Sequence, residues 1–350
     1  MYFDSLLLYC QKQLHTNRSS SASYRLLKGF KAIQTLQDAK LFQVQQFYGV
    51  YPNLTQKQYD EKINQLMKQK LLSVDEKSTK RIIRLTDRGE VKLQEYRHLL
   101  HFKLLNGMAY YKIDKLFQQR LLLFIQTLLN TQMNHFNFIP IIDSQPITDW
   151  VRTFYYQTKD NHDNIHLRLY EELVQLLRSL PDQWAAIFVD RITSYQTYGL
   201  NTFQLANKYQ LATEDIPIIE KAIIHYMLTA INRDKQSFPI LISFMKHQED
   251  HMTLTLSAKK TLLLLKQGYS LDEIARLRRL KKNTIEDHMI EIALNDVAFP
   301  YEEYLSETDI REINQAVNET KGYRLRDIKE KLHDNISYFQ IRLYLAIAKK

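Results

Sequence analysis

Seven glycines in 350 residues, at positions 29, 49, 89, 107, 199, 268 and 322, constrain this chain more than any other feature. Glycine supplies tight turns and close backbone approaches, and ordinary proteins contain roughly 7% glycine and roughly 5% proline. Proline is equally scarce here, also numbering 7. Turn-rich all-β folds and doubly wound α/β folds need far more of both, so the expectation is a mostly α protein. No two glycines fall within six positions of each other. A phosphate loop requires two glycines five apart, and a dinucleotide fingerprint requires three within six. P-loop NTPases, helicase motors and Rossmann dehydrogenases are therefore excluded, and the chain is expected to be no enzyme and to carry no cofactor.

A length of 350 residues with 45% apolar and 25% charged side chains describes a folded protein of two or three domains. The formal net charge is +9, and its distribution is uneven. Residues 1–100 hold 17 Lys/Arg against 9 Asp/Glu, whereas residues 181–256 hold 6 against 8. A concentrated basic excess is the footprint of a polyanion partner, most often nucleic acid. Cys10 is the single cysteine, which rules out an intrachain disulfide or a cysteine-built zinc site and points to a reducing cytosol. No apolar run reaches the 18 residues of a membrane span. The expected location is cytoplasmic and nucleoid-associated, with no membrane partner.

Along the chain, a helix is predicted from Tyr2 to about Leu14, followed by a short linker from Thr16 to Ser23. A helical pattern then runs from Tyr24 to a break at Tyr51-Pro52-Asn53. Thr55 and Gln58 have capping-box spacing, and Leu54 and Tyr59 can close over the cap as a hydrophobic staple. Tyr59, Ile63, Leu66 and Met67 follow as an apolar stripe. Leu72 to Val74 and Arg81 to Leu85 read as short strands around a polar turn, with Thr86-Asp87 opening another helix. Helix, turn, helix and charged hairpin is the pattern of a winged helix; the alternative is a small helical domain with a solvated hairpin. In a winged helix, Lys57 and Asn64 face a DNA groove while Lys77, Lys80, Arg81 and Arg84 reach phosphate.

Residues 101–180 read as long amphipathic helices, among them Leu116 to Leu129 and Ile165 to Leu180, around an irregular stretch from Asn134 to Asp149. The segment 181–244 has the order of a second helix-turn-helix, with Ala206 at the helix crossing and a cap expected at Thr213. Its acidic charge and Pro217 leave a three-helix structural core as the alternative. The last segment, 245–350, contains the strongest local signal. Gly268 ends one helix, Ser270 and Glu273 form a capping box for the next, and Asn283 with Glu286 is expected to cap the third. Ile274 and Ala275 pack inward with Leu280 in the turn, and Ile285 and Met289 are the buried face of the third helix.

The combination of Gln267-Gly268, Glu273-Ile274-Ala275, Arg278 with Leu280, and Thr284-Ile285 followed by His288 resembles the helix-turn-helix domain that ends many RecQ-family helicases. Leu325 to Glu330 and Ser337 to Leu343 resemble the end of the same domain, and Tyr24 to Phe42 is similar to the stand-alone YpbB-type bacterial proteins. The resemblance implies a non-catalytic DNA-binding accessory of a RecQ-type helicase, so DNA and that helicase are the implied partners. Two departures bear on the site. Arg279 stands where the family turn usually has glycine, extending a basic run of Arg276, Arg278, Arg279, Lys281 and Lys282 that leads into Asn283 and Thr284. Glu286 and Asp287 place carboxylates, which repel phosphate, at the start of the expected recognition helix.

Histidine pairs at 98/101, 162/166 and 247/251 lack an obvious third ligand, so no metal and no catalytic residue is assigned. The fold expected is a mostly α, multi-domain helical protein with an N-terminal winged helix carrying a small hairpin wing and a C-terminal helix-turn-helix domain. Rival functions for those modules are a sequence-specific transcriptional regulator and a protein-docking scaffold.

Overall fold

With few residues to break helices, the chain forms eighteen α-helices and one two-stranded sheet among its described residues. The computed structural model describes residues 1–14, 18–74, 82–96, 102–158, 162–245, 254–295, 299–320 and 322–348. In chain order the first elements are α1 (Tyr2–Leu14), α2 (Ser21–Lys28), α3 (Ile33–Leu41), α4 (Gln56–Lys68), β1 (Leu72–Val74), β2 (Ile83–Leu85) and α5 (Asp87–Tyr96). The middle holds α6 (Gly107–Tyr110), α7 (Ile113–Gln132), α8 (Gln145–Gln157), α9 (His162–Leu177), α10 (Asp182–Asp190), α11 (Thr202–Tyr209) and α12 (Asp215–Arg233). The end comprises α13 (Leu256–Lys266), α14 (Leu271–Arg278), α15 (Lys282–Asn295), α16 (Glu307–Thr320), α17 (Leu325–Lys329) and α18 (Tyr338–Ile347).

The elements group into two units, and the grouping does not follow chain order. One unit comprises residues 1–7, 46–53 and 91–250; the other comprises 8–45, 54–90 and 251–350. A division into successive segments 1–100, 101–180, 181–244 and 245–350 thus cuts across the packing, which joins the winged-helix region to the C-terminal helices.

In the first unit, α7 and α12 are the central helices, with Phe117 and Phe124 of α7 against Phe244. Two buried carboxylates there are held by partners far away in sequence. Glu172 accepts the backbone N–H groups of Ile240 and Leu241 at 3.0 and 2.9 Å, and burial pushes its carboxyl above the usual range. Asp114 accepts from Lys221 at 2.8 Å and from His225 Nε2 at 3.1 Å. His225 Nδ1 accepts the Asn106 N–H at 3.0 Å, so the ring is neutral, and burial holds its pKa below the ordinary value despite Asp114.

In the second unit, α15 is the hub, packed by α13, α14, α18 and α3. Lys40 of α3 donates to the Leu294 carbonyl, and Gln37 donates to the Arg342 carbonyl at 2.7 Å. The strands pair antiparallel in the register Leu72 with Leu85, Ser73 with Arg84 and Val74 with Ile83.

Several expectations are corrected. The linker is shorter than Thr16 to Ser23, because Ser21 already begins α2 and the buried Ser23 hydroxyl meets Gln11 and Tyr59 at 2.7 and 2.6 Å. The pattern after Tyr24 is two short helices, broken at Gly29 and Gln43, both at positive φ. The irregular stretch after Asn134 ends before Asp149, since α8 starts at Gln145 with a proline in its first turn, where no N–H is needed. Thr213 does not cap α12, whose N-cap is Glu214 without a side-chain bond. Asn283 is no cap either: the Ile285 N–H reaches the Lys281 carbonyl at 3.3 Å, so α15 starts at Lys282 and Asn283 lies inside it.

Candidate nucleic-acid interface

The C-terminal helix-turn-helix is built by local rules legible in its residues. Thr255 caps α13 through the Ala258 N–H at 3.1 Å, and Glu291 of α15 in turn accepts from Thr255. Gly268, at φ 86°, ends α13. Ser270 and Glu273 form a complete capping box on α14, an arrangement worth about 1 kcal/mol. At the far end Arg279 adopts φ 51° and ψ 43°, the left-handed cap. The Arg279 N–H bonds the Arg276 carbonyl and the Leu280 N–H the Ala275 carbonyl, which closes a Schellman turn. Ile274, Ile285 and Met289 are buried as expected, Ala275 is only half-buried, and Leu280 sits half-buried in the turn as expected.

The basic run is sorted by this geometry. Arg276, Arg279, Lys281 and Lys282 are exposed, as is Asn283, and Thr284 is half-buried. Lys282 pairs with Asp272 at 3.0 Å. Arg278 points the other way: its guanidinium donates to the Ser257 carbonyl at 2.8 Å, the Ser257 hydroxyl at 2.9 Å, Thr261 Oγ1 and His288 Nδ1 at 3.3 Å. It ties α14 to α13 and α15 and is not presented to phosphate. Burial and the nearby Arg278 charge both keep the His288 pKa low.

α15 is buried from His288 to Leu294, and Asp287 pairs with Arg342 of α18. Only its first turn, with the preceding basic turn, remains open. A recognition helix must lie along a major groove with several side chains free, so here α15 can offer DNA its N-terminal end alone.

In the winged-helix region, α4 has a more open face. Thr55 and Gln58 form the expected capping box on α4, and Tyr59, Ile63 and Leu66 are its buried face. Lys57 and Asn64 are exposed on the other side, although Lys57 sits 3.9 Å from Glu61. Lys68 shares that exposed side, as the apolar stripe of α4 predicts. Arg84 is exposed on β2 opposite Ser73. Lys77, Lys80 and Arg81 lie outside the described residues, as do His98, His101, His247 and His251. At the base of the wing Gly89 is obligatory, since a Cβ there would stand 2.1 Å from the Leu71 carbonyl oxygen.

The α10–α11–α12 segment repeats the C-terminal motif closely. Asn201 and Gln204 form a capping box, Gln210 takes the left-handed cap at φ 54°, and the Leu211 N–H bonds the Ala206 carbonyl. Yet Asp215, at the start of α12, is 1% exposed and accepts the Phe3 N–H at 2.8 Å. The end of α12 that a DNA reader would present is covered, so this copy is a structural core.

Residues 257–345 match the protein family described as a helix-turn-helix domain. The matched span covers α14 to α17 whole, with nearly all of α13 and α18, so the basic turn sits inside the helix-turn-helix domain. Over 349 residues, 98% of this chain and 97% of its relative, the sequence is 29% identical to Protein YpbB of Bacillus subtilis (strain 168). No solved structure matches the chain. No helix among the described residues is long and apolar enough to cross a membrane.

Proposed function

We propose that the protein is a non-catalytic DNA-binding accessory that assists or targets a RecQ-type helicase in DNA repair or recombination, working beside the nucleoid. One observation carries the DNA half of this reading. The unit that holds both the winged-helix region and the helix-turn-helix domain has 32 Lys/Arg against 22 Asp/Glu, while the other unit has 16 against 17. All of the net positive charge belongs to the unit with the nucleic-acid-binding architecture, as phosphate recognition requires. The helicase half is supported by the likeness of the C-terminal motif to the domain that ends RecQ-family helicases. Glycines too dispersed for a phosphate loop support an accessory without a motor of its own.

Titration of the full chain against two unrelated duplexes and a fork at several salt concentrations tests the reading. Equal affinity for unrelated sequences, falling steeply with salt, and faster unwinding by a purified RecQ-type helicase are expected. Strong preference for one duplex supports a transcriptional regulator instead, and no binding at low salt supports a protein-docking scaffold.

A further inference from the structure

The second unit contains a cleft of about 750 Å³ to which neither α4 nor the basic turn contributes lining. Its lining comes from both ends of the chain, with Arg18, Arg25 and α3 residues meeting Arg324 to Asp327 and Glu330 around α17. Four arginines line it, Arg18, Arg25, Arg324 and Arg326, against the carboxylates Asp38, Asp327 and Glu330.

The pairing within the cleft decides what charge is left over. Asp38 is held by Arg18 through Nε and Nη2, each at 2.7 Å, and Glu330 by Arg326 at 2.9 Å. Arg25 and Arg324 have no hydrogen-bonded or ion-paired partner for their guanidinium groups among the described residues; Arg25 meets Asp38 only through the longer-range field. Among the described residues, two planar forks therefore line the cleft without a bonded partner, and Asp327 is the one lining carboxylate left over. Leu41, Ile82 and Leu345 add apolar lining. Guanidinium forks match phosphate oxygens in pairs, and a volume of this size, within the roughly 300–1,000 Å³ of small-molecule sites, admits a sugar and a base beside apolar walls.

The geometry points to a nucleotide-phosphate site in this cleft, in which Arg25 and Arg324 hold the phosphate ester of a free nucleotide or of a single strand. Among the described residues the cleft shares no charged residue with α4, β2 or the basic turn, so its test is read separately from duplex binding.

The test uses the full chain and three probes: thymidine 5′-monophosphate, thymidine, and a labelled 12-nucleotide oligothymidylate. Arg25→Gln with Arg324→Gln is expected to weaken one phosphate-bearing probe by about tenfold or more, with an unchanged unfolding midpoint because neither side chain has a partner to lose. Loss confined to the monophosphate identifies a free nucleotide as the source. Loss confined to the oligonucleotide, with a salt slope smaller by about 1.4, identifies strand phosphates. Arg25→Lys with Arg324→Lys keeps the charges without the forks and is expected to bind several-fold more weakly than the wild type. Equal binding by all three proteins, or thymidine binding as tightly as its monophosphate, overturns the site. Duplex binding that persists while the probes ignore both variants removes this site alone; probe loss without any duplex binding removes only the duplex reading.

Discussion

Replacing Arg278 by alanine would remove four donated bonds that reach Ser257, Thr261 and His288, leaving a half-buried polar cluster unsatisfied. The expected cost is about 2 kcal/mol in chemical denaturation of the full chain, with duplex affinity lowered only as far as folding is. Arg279→Gly has the opposite signature. A left-handed non-glycine residue is relieved by glycine, so stability should rise by up to ~1 kcal/mol while one exposed cation is lost from the turn. Greater stability with weaker duplex binding is the expected pair of readings, and lower stability would contradict the left-handed turn. The two arginines are adjacent and equivalent in the sequence. Spacing identified the turn and the position that needs positive φ, but which cation turns inward depends on Ser257 and Thr261 one helix away. Burial of His225 makes the stability of the fold depend on pH. Its pKa is depressed in the folded protein, so the unfolded chain binds the extra proton first, and the His225 contribution is present above about 6.5 and lost as pH falls below it. His288 shifts in the same direction. Urea midpoints should therefore drop between pH 7 and pH 5.5, and His225→Asn should flatten part of that dependence.

Among the elements, the wing is the most exacting. Gly89→Ala would force the start of α5 away from the Leu71 carbonyl, which also accepts the Thr86 N–H at 3.1 Å. Overpacking of that kind costs roughly 1–3 kcal/mol, so the thermal midpoint should fall. Gln65→Ala, on the exposed side of α4, serves as the control and should leave the midpoint nearly unmoved. Capping boxes at Thr55 and Ser270 were legible because each is a four-residue signal, and Ser337 with Gln340 carries the same signal on α18. The burial of α15 was not. Its own residues set the helix and its inner stripe, whereas the surfaces that cover the rest belong to α3 and α18, at sequence distances no local pattern can register. The same holds for Arg25 and Arg324, which lie on opposite ends of the chain.

For the molecule as a whole, the basic excess belongs to one unit drawn from three stretches of chain. Changing Lys77, Lys80, Arg81 and Arg84 together to alanine is expected to weaken binding to every duplex and to flatten the salt dependence by about 0.9 per phosphate contact removed. A slope identical to the wild type would take the wing off the DNA. The mostly helical class followed from glycine and proline scarcity, and the winged-helix and C-terminal motifs from their caps. That these two modules belong to one unit did not follow, because charge and periodicity are local quantities.

The packing of α3 against α15 has a consequence in time. A ribosome that has finished α3 must still add the more than two hundred residues up to Asn295 before the partner surface exists, a wait of roughly ten to fifty seconds at elongation rates of about 5–20 residues per second. Throughout that interval Leu41, buried in the finished protein and lining the cleft with Leu345 of α18, lacks that cover on the nascent chain. The N-terminal module is thus made first and completed last, and a stalled or prematurely terminated message would release a basic fragment with an open apolar face, a substrate for chaperones and proteases.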